Sequence, residues 1–169
     1  MYTGAVFEDE AHCMEVMMGM EDAFRRKDES YFIGVLRSER SLVLRVHVVC
    51  ILAEIGGEIS IPALADVLLR DTDPLVRHEA AFSLGQIGLS SAKEALERAV
   101  LEDPEAIVRH EAAAALGSIG SVSSAKTLKL ALEDEDEIVR NSARTSLFNI
   151  DFLQRYSVGQ AARDRAPRP

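Results

Sequence analysis

A 32-residue period is the feature of this sequence that most limits the folds available to it. Four segments align on one arginine: VLRVHVVCILAEIG, LVRHEAAFSLGQIG, IVRHEAAAALGSIG and IVRNSARTSLFNI. The aligned arginines are spaced 32, 32 and 31 residues apart and are Arg45, Arg77, Arg109 and Arg140. Second apolar segments lie between them, and their leucines keep the same period: Leu64, Leu96 and Leu128. Because a regular period with two helices per unit is typical of α-solenoids, we predict an all-α fold, a short α-solenoid of helix pairs over residues 41–150.

Local signals mark the ends of the first helix in two of the units. Asp73-Pro74 and Asp103-Pro104 are typical of an N-cap followed by the first helical residue. The aspartate accepts an orphan backbone N–H, and proline has none to lose. Gly88 and Gly120 fit the left-handed conformation that ends a helix.

The interior of each first helix carries an apolar stripe and a glycine. Residues at helical spacing predict the inward face: Ala81, Leu84 and Ile87 in one copy, and Ala113, Leu116 and Ile119 in the next. Gly85 and Gly117 stand in mid-helix, where glycine costs stability. We therefore expect a neighbouring helix to approach closely at both glycines.

The two ends of the chain follow the period poorly. We expect residues 1–40 to form an N-terminal helical segment that caps the first repeat, because terminal repeats need a different outer face. The alternative is a partner surface lined by adaptable methionines, namely Met14, Met17, Met18 and Met20. Residues 151–169 end in the small, polar and basic stretch YSVGQAARDRAPRP, and we expect this tail to be disordered.

Composition narrows the function classes. The formal net charge of −9 argues against nucleic acid as the main partner. Cys13 and Cys50 are not in a CxxC motif, so we expect both to be reduced and buried. The acidic start MYTGAVFEDE does not resemble a signal peptide, and the apolar runs are too short to span a membrane. We therefore expect a cytoplasmic protein with no membrane or nucleic-acid partner.

Two His-Glu pairs occupy the same register of neighbouring repeats. Consecutive helix residues point about 100° apart, so one pair alone is a poor chelate. Parallel helices in neighbouring repeats lie roughly 8–10 Å apart, however, which lets long side chains converge. Two imidazoles and two carboxylates on one surface suit non-haem iron, and manganese or zinc can also be held by such donors. The sequence therefore predicts four metal ligands, which are His78, Glu79, His110 and Glu111.

A simpler interpretation of the pairs stays open. Duplication copies a His-Glu pair whether or not it works, and glutamate is a good helix former at an exposed position. The flanking residues have nevertheless diverged, from AFSLGQ to AAALGS, while both pairs are present.

The motifs VRHEAAFSLGQIG and VRHEAAAALGSIG resemble a known family. They are similar to HEAT-like repeats of the type grouped with phycobilisome lyases, and within that group to the His-Glu repeats of deoxyhypusine hydroxylases. The resemblance covers residues 41–150. It implies a helical HEAT-repeat protein with a non-haem di-iron centre, held by two His-Glu pairs from each of two facing halves. It also implies dioxygen-dependent hydroxylation of a deoxyhypusine side chain on a translation factor.

This chain departs from that family in the number of its pairs. The aligned positions are Val46 and His47 in the first repeat, and Asn141 and Ser142 in the last. With two pairs instead of four, two copies facing each other across a two-fold axis would rebuild the site, with two Fe(II)/Fe(III) ions per homodimer. The alternative is a monomer that holds a single metal or none. His47 is a candidate hydrogen-bond partner for the metal ligands.

The sequence leaves the substrate open and is compatible with competing functions. Acidic corners at residues 102–105 and 133–137 could steer a cationic amine on a small molecule or protein, although helix capping and solubility also explain them. A metal-free scaffold that grips a partner protein is the alternative from another class, since a fold does not fix a function. A bilin lyase or its chaperone subunit is a third option, which rests on the repeat group alone.

Overall fold

The computed structural model describes residues 10–164, and within them the ordered structure is helical. The α-helices are α1 (Glu10–Arg26), α2 (Glu29–Ser38), α3 (Leu42–Ile55), α4 (Ile61–Arg70), α5 (Pro74–Ile87), α6 (Lys93–Glu102), α7 (Ala106–Ile119), α8 (Ala125–Leu130) and α9 (Glu137–Asp164). Short 3-10 turns lead into α6 and α8 and follow α8, at Ser90–Ala92, Val122–Ser124 and Ala131–Glu133. Among the described residues, no helix has the length and apolar character needed to cross a membrane.

The helices form two parallel rows, as the repeat predicts. The first helices α3, α5, α7 and α9 pack in sequence, and the second helices α4, α6 and α8 form the other row. The core between the rows is made of leucines and small residues, and its fully buried leucines recur with the period: Leu64, Leu84, Leu96, Leu116 and Leu128. The predicted all-α solenoid is therefore confirmed. Ala81 and Ala113 are buried as predicted, while Ile87 and Ile119 lie half-buried at the core edge.

The glycines behave as the sequence predicts. Gly88 and Gly120 have φ angles of 72° and 70°, the left-handed conformation that ends α5 and α7. A Cβ added to Gly85 would lie 2.8 Å from the Cβ of Ala115 on α7, and a Cβ on Gly117 would lie 2.8 Å from the Cα of Ser146 on α9. Close approach of the next helix is therefore the reason for both mid-helix glycines.

A ladder of arginine–aspartate pairs joins successive repeats. Arg77 Nε and Nη2 donate to both carboxylate oxygens of Asp103, at 2.8 and 3.1 Å. Arg109 pairs in the same way with Asp134, at 2.8 and 3.0 Å. Arg45 donates to Asp71, one repeat earlier. Bidentate guanidinium–carboxylate pairs are strong and directional, so they fix the rotation of each repeat on the next.

The predicted start of α7 is wrong, and the arginine–aspartate ladder explains why. Asp73 caps α5, since its Oδ1 accepts the Leu75 N–H at 2.9 Å. Asp103 does not cap α7, which begins at Ala106 after Glu105. In the 32-residue alignment Asp103 corresponds to Asp71 rather than Asp73, and its carboxylate binds Arg77 and the Glu105 N–H instead.

The N-terminal helices lie beside the first repeat. α2 packs on α3, and α1 contacts both. Met20 is buried there, whereas Met14, Met17 and Met18 are exposed on α1.

The C-terminal segment, where disorder is expected over residues 151–169, is described as far as Asp164. α9 continues without a break to Asp164. Residues 151–156 are exposed and carry an Asp151–Arg155 ion pair at 2.8 Å and a stacked pair of rings, Phe152 and Tyr156. Pairs at i,i+4 stabilise a helix locally, which supports the helix over these exposed residues. Residues 165–169 lie outside the described part of the chain.

Candidate metal centre

The His-Glu pairs lie one turn inside α5 and α7, on the same face of adjacent helices. His78 and Glu79 follow Arg77, and His110 and Glu111 follow Arg109. The arginine ladder sets the rotation of α5 and α7, so both pairs point away from the core in matching directions. All four side chains are half-buried.

The structure brings one imidazole between carboxylates from two repeats. His78 Nε2 lies 3.4 Å from Glu111 Oε2, and His78 Nδ1 lies 3.4 Å from Glu79 Oε1. The His78 Nδ1 atom is buried and has no hydrogen-bond partner of acceptable geometry. Three of the four predicted ligands therefore meet at the α5–α7 junction.

The carboxylates control the charge of this imidazole. The hydrogen bond with Glu111 raises the pKa of His78, and the negative charges of Glu111 and Glu79 raise it further. Burial acts in the opposite direction but does not cancel them. The two carboxylates thus favour the cationic form of His78.

The fourth predicted ligand turns away from the other three. His110 Nδ1 forms a short hydrogen bond with Ser142 Oγ on α9. Ser142 occupies the register that Glu79 and Glu111 hold in the earlier helices, so the α7–α9 junction lacks a carboxylate at this point. With these side-chain positions, residues 10–164 contain no group of three or more His, Cys, Asp or Glu arranged to hold a metal ion. The predicted ligands are neighbours, but they are not assembled into a coordination site.

Cys50 also belongs to the surface that carries the His-Glu pairs, which the sequence did not predict. It was expected to be buried, yet it is exposed, and its Sγ lies 3.7 Å from Glu79 Oε2. Burial of the thiol within this contact, followed by the charge of Glu79, raises the pKa of Cys50. The signal was present in the repeat: Cys50 stands one turn after Val46, the residue that aligns with His78.

His47 does not support the metal ligands as expected. It lines an apolar cavity of about 320 Å³ between α1 and α3, together with Met17, Met20, Phe24 and Ile51. No described hydrogen bond connects it to either His-Glu pair. The one-residue offset of His47 from the His-Glu register turns it toward α1, because one residue rotates a side chain by about 100°.

An apolar row flanks the pairs. Each first helix exposes one aliphatic side chain three residues before the position aligned with His78, so these residues share its face. They are between 42% and 50% exposed and comprise Val43, Leu75, Ile107 and Ile138. Recurrence of exposed aliphatic residues along one face is typical of a surface that contacts another molecule.

Comparison with known proteins agrees with this architecture. The family of HEAT repeats matches residues 29–116 and 61–147. Human deoxyhypusine hydroxylase, solved in complex with glycerol, has a TM-score of 0.68 and 30% sequence identity, over 75% of this chain and 44% of that chain. An engineered protein shares the fold, with a TM-score of 0.51 and 23% identity over 73% of this chain and 62% of its own. No match is found among curated proteins.

The extent of these matches defines what they establish. The chain spans less than half the length of the human hydroxylase, with which it shares a related fold. The HEAT-repeat matches together cover most of the helical array. The chain belongs to the HEAT-repeat family.

Proposed function

We propose that this chain is a metal-binding HEAT-repeat protein that provides one half of a non-haem di-iron site. The observation that carries this function is the position of His78 between Glu79 and Glu111, with a buried Nδ1 atom that lacks a hydrogen-bond partner. A buried polar atom without a partner costs free energy. A divalent cation bound at Nδ1 and by Glu79, the carboxylate beside that atom, would remove that cost.

The donor set fits the proposed metal. Imidazole nitrogen and carboxylate oxygen are the donors of open non-haem iron sites, where iron supplies dioxygen activation. His78 and Glu79 would hold the metal at Nδ1. Glu111, which faces Nε2, would complete the set from the next repeat by turning its side chain. His110 would have to exchange Ser142 for the metal by turning its side chain. Similarity to deoxyhypusine hydroxylase supports a related hydroxylation of a protein or amine-bearing substrate.

The second half of the site would come from another copy of the chain. The sequence has two His-Glu pairs, and the chain spans 44% of the similar hydroxylase. A two-fold axis would bring the pairs of both copies together through one self-complementary surface. The exposed aliphatic row beside the pairs supports contact on this face. Such a homodimer would hold two iron ions and would work in the cytoplasm.

Elemental analysis combined with absolute mass in solution tests this function. Protein purified without a metal-affinity tag and loaded anaerobically with Fe(II) should contain about one iron per chain. Its mass should be that of a dimer or of a larger assembly with an even number of chains. A protein that stays metal-free after loading contradicts the proposed site.

A metal-free interaction scaffold is the second candidate. The observation in its favour is the same aliphatic row, which would serve a partner protein equally well. In addition, the His, Cys, Asp and Glu side chains of residues 10–164 do not form an assembled coordination site. The scaffold predicts that Ile107→Glu abolishes capture of one defined partner, while His78→Ala leaves capture unchanged.

A further inference from the structure

The residues that face the next repeat form a recognisable series on α5 and α7. On each helix an arginine, an alanine and a glycine follow one another at four-residue spacing: Arg77, Ala81 and Gly85, then Arg109, Ala113 and Gly117. The arginine binds the aspartate of the next repeat. The Ala113 carbonyl accepts the Ser146 Oγ–H at 2.8 Å, and the glycine gives the next helix room.

The same series on α9 is chemically different. The corresponding residues are Arg140, Arg144 and Phe148, so arginine replaces the alanine and phenylalanine replaces the glycine. The four-residue spacing continues through Phe152 and Tyr156. The three rings are 72%, 55% and 62% exposed, respectively. Successive members of this series are turned by about 40° around the helix, so three of them share one side of α9. We call these three residues, Arg144, Phe148 and Phe152, the α9 ridge.

The α9 ridge does not suit another repeat of the same kind. At Gly117 a single added carbon would already lie 2.6 Å from the Cβ of Ser146, and Phe148 presents a whole ring at that register. Arg140 binds the backbone carbonyls of Asp134 and Glu135, at 2.7 and 2.9 Å. Within the described residues it has no carboxylate partner of the kind that Arg77 and Arg109 have. The surface where α9 would meet a following helix is therefore built for a different contact.

The ridge is complementary to itself. It has a cation at one end and aromatic rings at the other, and residues at i±4 form the ridges through which helices pack. We propose that a second copy of this chain docks antiparallel on the α9 ridge, with the two-fold axis near Phe148. Arg144 then lies opposite Phe152 of the second copy. Its guanidinium meets the face of that ring, and symmetry makes the contact twice.

This contact needs no metal ion. None of the predicted metal ligands lies on the ridge, although Phe148 and His110 line the same cavity between α7 and α9. Dimerisation through α9 should therefore persist in protein treated with a chelator. Association through the His-Glu face, in contrast, should follow iron loading.

Light scattering of the full chain in chelator tests the docking. The unchanged chain should have the mass of a dimer, and Phe148→Glu should have the mass of a monomer with the same far-UV circular dichroism. Two charge-introducing controls should remain dimeric: Met18→Glu, at a residue 68% exposed on α1, and Ile107→Glu, on the His-Glu face. A monomeric unchanged chain, or a Phe148→Glu variant that stays dimeric, overturns the docking.

Cross-linking locates the axis. In a Cys50→Ser background, Phe148→Cys should form a disulfide between copies under mild oxidation, because a residue at the axis faces itself. Met18→Cys in the same background should not. A dimer in which Phe148→Cys fails to link would place the contact elsewhere and overturn the assignment, whatever the iron content of the protein.

Discussion

His78 on α5 and Glu111 on α7 meet across a repeat boundary, with 3.4 Å between Nε2 and Oε2. The equivalent contact one repeat later joins His110 to Ser142. One junction therefore pairs imidazole with carboxylate, whereas the next pairs imidazole with a hydroxyl group. In the proposed metal site, the α5–α7 junction therefore supplies the ligands that already lie together, and His110 is the ligand that would have to move.

We predict that His78→Ala combined with His110→Ala removes metal binding without unfolding the array. Neither imidazole belongs to the buried core, so the helical content should stay unchanged. Iron per chain after anaerobic loading is the measurement, with far-UV circular dichroism on the same sample. His47→Ala is the matched control, because His47 lies beside α1 and should not affect iron content. Full iron content in the double variant would show that the ligands are elsewhere.

We predict that metal affinity rises with pH through the titration of His78. The Glu111 hydrogen bond and the two carboxylate charges raise the pKa of His78, so the proton leaves at a higher pH than for an ordinary histidine. Metal and proton compete for the same nitrogen, which makes binding weaker below that pKa and stronger above it. Calorimetric titration with Zn(II) at several pH values measures the effect. In Glu111→Gln the pH dependence should move toward lower pH, and a profile that does not move would contradict this coupling.

We predict that Asp134 makes the array sensitive to acid. Burial alone would raise the pKa of Asp134, but hydrogen bonds from Arg109 and the Asp136 N–H outweigh it and lower the pKa. Because the folded state favours the carboxylate, this stabilisation is complete above the ordinary pKa of aspartate and is lost as pH falls through the lowered value. Asp134→Asn should cost about 2 kcal/mol at neutral pH and reduce the loss of stability in acid.

Urea unfolding over a pH series measures the Asp134 effect. Asp151→Asn is the control, since its pair with Arg155 is solvent-exposed and should contribute at most about 1 kcal/mol. Equal effects of the two substitutions would show that the ladder is no stronger than a surface ion pair.

We predict opposite results for two glycine-to-alanine substitutions. Gly117→Ala should destabilise the protein by about 1–3 kcal/mol, because the new Cβ would lie 2.6 Å from Ser146 Cβ and force α7 and α9 apart. Gly34→Ala in α2 has no heavy atom within 4 Å of the new Cβ and should stabilise the protein by about 0.5–1 kcal/mol through helix propensity. Thermal unfolding of both variants measures these two changes in stability. A neutral Gly117→Ala would show that the helices separate at little cost.

The repeat made most of the fold predictable. A period of two helices determines the rows of first and second helices, and Gly85 and Gly117 correctly indicated where those helices approach closely. Asp103 does not cap α7, although an Asp-Pro step is typical of an N-cap. Its carboxylate binds Arg77, which is far away in sequence. Long-range charge pairing of this kind leaves no local signature.

The candidate site was predictable in its members but not in their orientation. Repeat register placed His78, Glu79 and Glu111 on one surface, and the structure brings these three together. The repeat register could not show that His110 bonds to Ser142, because a side-chain rotamer depends on its neighbours in space. The absence of a CxxC motif does not reveal the exposure of Cys50, whereas its place one turn from Val46 puts it on the exposed face.

The arginine ladder has a consequence for how arrays of this kind change length. Arg77 and Arg109 also donate to the backbone carbonyl of the aspartate in their own repeat, Asp71 and Asp103, at 2.9 and 3.0 Å. Each of these two units therefore supplies a carboxylate to the unit before it and a guanidinium to the unit after it. A unit inserted within the array would satisfy both of its neighbours without any change to their sequences. Because the arginine–aspartate contacts between repeats are alike, the number of units can change by whole copies. Each added copy lengthens the surface formed by the first helices.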